Sequence, residues 1–197
     1  MASSMLFSPI NLRGLELPNR IVVAPMCQYS AHDGTPNDWH LVHLGQFSLG
    51  GAGLILIEAT GVEPEGRISP GCTGLYSDAN EEGMARIIHF VRNYGHARIG
   101  IQFGHAGRKA SAKLPWNGGT ALSPEEGAWQ TVAPSAIPYA PGWHTPEALG
   151  DNSFARVKQA FIQATERAVR LDFDAIEIHS AHGYLLHQFL SPVTNQR

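Results

Sequence analysis

The sequence predicts an α/β fold whose parallel sheet makes about half of a (β/α)8 barrel. Three observations carry that prediction. Four short runs rich in Ile, Val and Leu alternate with helical patterns. The turn after the first run lacks a dinucleotide fingerprint. Polar, chemistry-bearing residues gather at the ends of successive runs.

The runs are residues 20–27 (RIVVAPMC), 53–60 (GLILIEAT), 98–105 (RIGIQFGH) and 173–179 (FDAIEIH). Short, largely unbroken apolar runs suit strands buried on both faces of a parallel sheet. Asn37 or Asp38 should cap a helix that continues to about Ser48, with Leu41, Leu44 and Phe47 or Ser48 turned inward. Asp78 followed by Glu81 resembles a capping box, and Met84, Ile87, Ile88 and Val91 form an i, i+3, i+4, i+7 stripe. Gly95 stands where a C′ glycine belongs. A third helix over 153–170 places Phe154, Val157, Phe161, Ala164 and Ala168 on one face. Ahead of these units, residues 6–17 read as a hairpin with Gly14 near its turn. Residues 106–150, rich in Gly, Pro and Trp, read as a long loop, and loops of that length are usually functional or mobile.

A β-α-β-α-β-α-β order with right-handed crossovers fits half a barrel or part of a doubly wound sheet. The doubly wound dinucleotide fold expects G-x-G-x-x-G after its first strand, where this chain reads PMCQYSAHDG. In a barrel, chemistry collects at the C-terminal strand ends. Those ends carry Pro25-Met26-Cys27, then Glu58-Ala59-Thr60, then Gln102 and His105, then His179 and His182.

Composition narrows the function. Of 197 residues, 43% are apolar and 16% charged, so a sizeable core can form. Fourteen Lys and Arg against 17 Asp and Glu give a net charge of −3, without the basic excess that nucleic acid or an anionic membrane attracts. No apolar run reaches the roughly 18 residues of a membrane span. The opening MASSMLFSPINLRG lacks the basic and apolar segments of a secretory leader. Two cysteines, Cys27 and Cys72, make no disulfide framework, so a reduced, cytoplasmic setting is expected.

His179 and His182 stand three apart beside Gly183 and Tyr184. Three roles suit them: satisfied scaffold imidazoles, metal ligands, or a pair of N–H donors aimed at one carbonyl oxygen that stabilise an enolate. A zincin-type site would read H-E-x-x-H on a helix, whereas the chain reads H-S-A-H at a strand end. In the enolate reading Tyr184 is placed to donate a proton to the adjacent carbon. Cys27 has no sequence neighbour that would activate it; it is either a buried structural thiol or a weak S–H donor to a bound ring. Gln102 offers a donor and an acceptor, which suits the imide edge of a flavin or a pyrimidine. Tyr29 could reach the same mouth or cover the hairpin. Arg108 and Lys109 form a basic pair, either solvated or facing an anion, and Cys72 receives no role.

These stretches resemble the old yellow enzyme family of FMN-dependent ene-reductases, in the xenobiotic-reductase or thermophilic-like branch that carries a cysteine near the flavin. NRIVVAPMCQYS, IEATGVEPEGRISPGC, GIQFGHAGRKAS, APSAIPY and IEIHSAHGYLLHQFLSPVTNQR match in family order over nearly the whole chain. The resemblance implies a (β/α)8 TIM barrel, with residues 1–197 as the N-terminal half of one FMN-binding domain: the hairpin and about four β/α units. It implies that Ala24, Pro25, Met26 and Cys27 line the flavin, that Ala59 meets the ring through its backbone, and that Gln102 binds the pyrimidine portion. His179 and His182 would hold the substrate carbonyl, Tyr29 would help position it, and Tyr184 would protonate the α-carbon. NADPH or NADH would be the reductant and an enone or enal the small-molecule substrate, with hydride chemistry that belongs to the cofactor.

The resemblance further implies that a phosphate site and a flavin-contacting arginine lie beyond residue 197. It leaves the first and last strands as bare edges open to pairing, and a homo-oligomer is expected of the complete protein. Two other readings stay open: a metal-dependent barrel hydrolase using the histidines, and a non-catalytic half-barrel module with no terminal helix covering its last strand.

Overall fold

A computed structural model describes residues 4–197; the first three residues, part of the stretch read above for a leader, lie outside it. A hairpin comes first, β1 (Ile10–Leu12) against β2 (Leu15–Leu17), with Ile10 opposite Leu17. Its turn puts the left-handed residue at Arg13 (φ 54°) rather than at Gly14. The hairpin is shorter than the expected 6–17, because Met5–Phe7 form a 3-10 turn instead of strand.

The main sheet holds four parallel strands in the order β3 (Val22–Val23), β4 (Leu54–Gly61), β5 (Arg98–Gly104) and β8 (Ala175–Ile178). The helices α1 (Asp38–Leu49), α2 (Asp78–Tyr94) and α3 (Asp151–Arg170) connect them. Alternation along the strands builds two faces. Ile55, Ile57, Ile99, Ile101 and Phe103 pack with Leu44, Met84, Ile87, Val91 and Ala164 of the helices. Leu54 and Leu56 turn the other way, onto Leu17 of the hairpin, which fills the inner face. Polar residues stand further along the strands, so the hairpin packs the inner face and leaves the C-terminal strand ends for chemistry.

Burial on both faces holds for the central pair β4 and β5 and fails at the edges. Val22 and Ile178 are each 46% exposed. Strands β3 and β8 each pair on one side only, and Pro25 has no N–H to extend the first ladder. Two cap assignments also change. Ser77, not Asp78, caps α2, accepting from the Asn80 N–H at 3.2 Å, which frees Glu81 to bind Arg170 at 2.8 Å. Gly95 has φ −86°, outside the left-handed region. A side chain there would run into Ser48 of α1, so the glycine serves close helix approach and not a turn.

Residues 106–150 are ordered. They carry short 3-10 turns and a two-residue parallel pairing of β6 (Val132–Ala133) with β7 (Glu147–Ala148). Val132 and Leu149 join Val157 and Leu185 in a small second core. After the last strand comes a six-residue helix, α4 (Leu185–Leu190), where no helix was expected. It buries Leu185 and Gln188. Too short to show a periodic stripe, it gave no signal in the sequence.

Candidate functional site

A cleft of about 620 Å³ opens across the C-terminal ends of the four parallel strands. Of the residues singled out in the sequence, Ala24, Pro25, Cys27, Ala59, Gln102, His179, His182 and Tyr184 line it, joined by Val22, Leu56 and Glu177. Met26 and Tyr29 do not; Met26 turns toward His40, His43 and Leu44 of α1.

A bulge builds the floor. The β4–β5 register shifts between Ile57 and Ala59, so Ala59 sits opposite Gln102 and both face the cleft. The displaced Glu58 turns to α1, where its carboxylate accepts from His40 Nε2 at 3.0 Å and from the Gln28 backbone N–H. The Asn37 N–H donates to His40 Nδ1 at 3.1 Å, which leaves the ring proton on Nε2. The pair is buried and clamps residues 26–30, the segment carrying Cys27 and Tyr29.

Gln102 lies 8% exposed beside Glu177, its partner in the β5–β8 ladder, and donates to that carboxylate. Sequence reasoning missed Glu177, yet the period of two that places Ala175 and His179 on one face also includes it.

The histidines form a chain of donors. The Ala181 N–H donates to His179 Nδ1 at 3.2 Å, so the His179 proton is on Nε2. That Nε2–H points at His182 Nδ1, 3.1 Å away, which puts the His182 proton on Nε2, free to serve a ligand. Burial, and then the neighbouring His182, holds His179 below the usual imidazole range. The Tyr184 ring lies 4.7 Å from His179 and 6.3 Å from His182. Burial, then the nearby Cys27, pushes its phenol upward, so it keeps its proton at neutral pH.

The turn carrying these groups is held in place. His182 and Gly183 take left-handed φ of 56° and 71°. Lys109 donates to the His182 carbonyl at 2.9 Å, its ammonium lying 5.1 Å from the Tyr184 ring centre. Arg108 donates to the carbonyls of Ile137 at 3.2 Å and Pro138 at 3.0 Å. The basic pair therefore braces loops. His105 accepts the Gly107 N–H on Nδ1 at 3.0 Å and donates Nε2–H to Glu63 at 2.8 Å, while its carbonyl takes the Leu185 N–H at 2.9 Å.

Burial raises the Cys27 thiol to about 12, helped by Cys72 and Glu58, so it stays protonated. Tyr29, left-handed at φ 52°, stands beside that thiol. Cys72 is buried and accepts the Ser69 N–H at 3.4 Å. Among the described residues no group of three or more His, Cys, Asp or Glu is placed to hold a metal ion, and no helix is long and apolar enough to cross a membrane.

The model of the NADH:flavin oxidoreductase / NADH oxidase family matches residues 5–197. The chain belongs to that family. An NADH:flavin oxidoreductase of Gibberella zeae is 49% identical over 199 residues, covering 99% of this chain and 48% of the relative. An NADPH dehydrogenase of Geobacillus thermodenitrificans is 42% identical over 197 residues, covering 99% and 53%. Morphinone reductase in complex with tetrahydroNAD superposes with TM-score 0.83 at 32% identity, over 98% of this chain and 54% of that one. Old Yellow Enzyme from Pichia sp. superposes at 0.85 with 28% identity, over 100% and 51%. The chain thus spans about half the length of the relatives it matches, and its sheet is about half of their barrel.

Proposed function

We propose that the full-length protein carrying this chain is an FMN-dependent oxidoreductase that uses NADPH or NADH to reduce the activated C=C bond of an enone or enal. One observation carries the reading: His179, His182 and Tyr184 face the same cleft as Cys27, Ala59 and Gln102. The residues fit the ring portion of FMN. Ala24 and Ala59 are small enough to admit a flat ring, Gln102 offers an amide to an imide edge, and the Cys27 S–H offers a weak donor. When bound, FMN supplies the hydride.

The chain's own residues do the rest. His182 presents its Nε2–H to the substrate carbonyl. The His179 Nε2–H can turn to the same oxygen, leaving His182 Nδ1. Together the two donors stabilise the charge that develops on that oxygen. Tyr184, held protonated beside them, delivers its proton to the α-carbon. We further read residues 1–197 as the N-terminal half of one domain, in a cytoplasmic protein that forms a homo-oligomer. Release of this chain as a stable unit by limited proteolysis would break the single-domain reading.

The test is NADPH consumption by the FMN-loaded full-length protein with 2-cyclohexenone. Tyr184→Phe is expected to lower the rate about 10²–10⁴-fold while enone binding is kept. An unchanged rate removes Tyr184 from the chemistry, and an absence of enone-dependent turnover in the unmodified protein removes the reading.

A further inference from the structure

We propose that Trp116 is a specificity-determining residue of the cleft, an aromatic wall that receives the apolar or aryl substituent of a planar conjugated carbonyl compound. The inference rests on the enzymatic reading above and adds a substrate class to it.

Trp116 rides on a pinned arm. Ala112 and Ala121 form an antiparallel bridge at its root, and the Ala112 N–H is fixed to the Ile68 carbonyl at 2.9 Å. Further out, the Lys113 N–H donates to Thr120 O at 2.7 Å and the Gly119 N–H to Leu114 O at 3.2 Å. The tip is one 3-10 turn, Pro115–Asn117, closed by Gly118 and Gly119 at φ 95° and 62°, where a side chain would be strained. The arm therefore holds its tip in one place.

At that tip the Trp116 ring stands edge-on to Tyr29, centroids 5.8 Å apart and planes at 85°. Tyr29 lies beside Cys27, and Cys27 lines the cleft. Tyr29 is itself fixed, left-handed and packed against Gly71, where no side chain would fit. Trp116 is thus one ring outward from the cleft wall, yet 65% exposed. Its indole N–H has no partner among the described residues. By contrast, Trp129 donates to the Glu65 carbonyl at 3.1 Å and Trp39 to Gln28 at 3.0 Å. Those two hold loops together. Among the described residues nothing covers the outer face of Trp116. On this proposal a small ring gripped at its carbonyl stops short of the indole, whereas a longer conjugated molecule reaches it.

The experiment uses the FMN-loaded full-length protein and its Trp116→Ala and Trp116→Phe variants, with 2-cyclohexenone and N-phenylmaleimide as substrates. Binding of the non-reducible N-phenylsuccinimide is followed by tryptophan fluorescence and calorimetry. Loss of one aromatic contact is expected to raise KM for N-phenylmaleimide and Kd for N-phenylsuccinimide about three- to tenfold in Trp116→Ala. Values for 2-cyclohexenone should stay within about twofold, with kcat unchanged and Trp116→Phe recovering most of the loss. Equal weakening of both substrates would mean that Trp116 only steadies Tyr29, and no weakening would mean it meets no ligand; either overturns the inference. If the unmodified protein binds N-phenylsuccinimide but reduces neither substrate, the enzymatic reading falls while the Kd comparison still decides Trp116.

Discussion

Three histidines, one in the first turn of α1 and two just past strand ends, are built to one local pattern and put to different use. His40, His105 and His179 each accept a backbone N–H on Nδ1, which fixes the proton on Nε2. What differs is where that proton points. In His40 and His105 it meets a buried carboxylate, Glu58 or Glu63, and the pair locks one loop to another element. In His179 it meets His182, a second imidazole at an open cleft, and the line of donors ends in a free N–H. A carboxylate partner saturates the ring and makes it scaffold. An imidazole partner passes the donor on and makes it available. The contrast separates two scaffold histidines from the two that face the cleft.

The sharpest way to break this contrast is to remove one ring of the open pair. His179→Ala in the full-length protein is expected to lower the enone reduction rate about 10²–10³-fold, the loss seen for one donor to a developing oxyanion. The melting temperature should fall less than for Glu58→Ala, because the ring lines the cleft and leaves no buried charge pair broken. A variant that unfolds while the remaining folded fraction works normally would place His179 with the scaffold group.

The reverse pattern is expected of Glu58→Ala. It strands the buried His40 Nε2–H, at roughly 1–3 kcal/mol for an unsatisfied group, and removes the acceptor of the partly buried Gln28 N–H. Urea unfolding should report that loss. The rate should fall less than for His179→Ala, since Glu58 acts on the cleft only through the segment bearing Cys27 and Tyr29. A rate collapse without loss of stability would mean that Glu58 touches the chemistry directly.

How far the sequence revealed these roles follows from what each signal depends on. The β4 and β5 runs were readable because both faces are buried and, after Arg98 at the start of β5, no charged or polar side chain interrupts them before the bulge. The β3 and β8 edges came out shorter than expected, since a strand's extent depends on a partner that its own residues do not encode. The cleft residues were legible where alternation and strand ends coincide, as at Gln102 and His179. Met26 points away from the cleft that Pro25 and Cys27 line on either side of it, which a period of two along the segment already required. The Glu58–His40 clamp was invisible because it depends on a one-residue bulge, a register event between two strands. Ser77 lost to Asp78 as expected cap because both residue types cap well and only geometry chooses between them.

The smallest effect expected here is also the most selective, and it sets the two groups against each other in pH. Burial works against the ionised form of Glu63, but the hydrogen bond and charge of His105, followed by Arg156, outweigh it and hold the carboxyl below its usual range. A depressed carboxyl contributes stability above its unfolded value, about 4.3, and loses it as pH falls through the folded one, because only the unfolded chain takes up the proton in between. Glu63→Gln should therefore be less stable than the natural chain at neutral pH, by an amount kept small because Arg156 is half exposed. The gap should close as the urea midpoint is followed downward through the carboxylate range. The open pair moves oppositely. His179, held low by burial and by His182, stays neutral into mild acid, so enone binding should persist below the usual imidazole range, about 6.5. A stability gap that stays constant through the carboxylate range would mean that the Glu63 charge contributes nothing. Enone binding that weakens at or above pH 6.5 would mean that His179 is not held neutral by its burial.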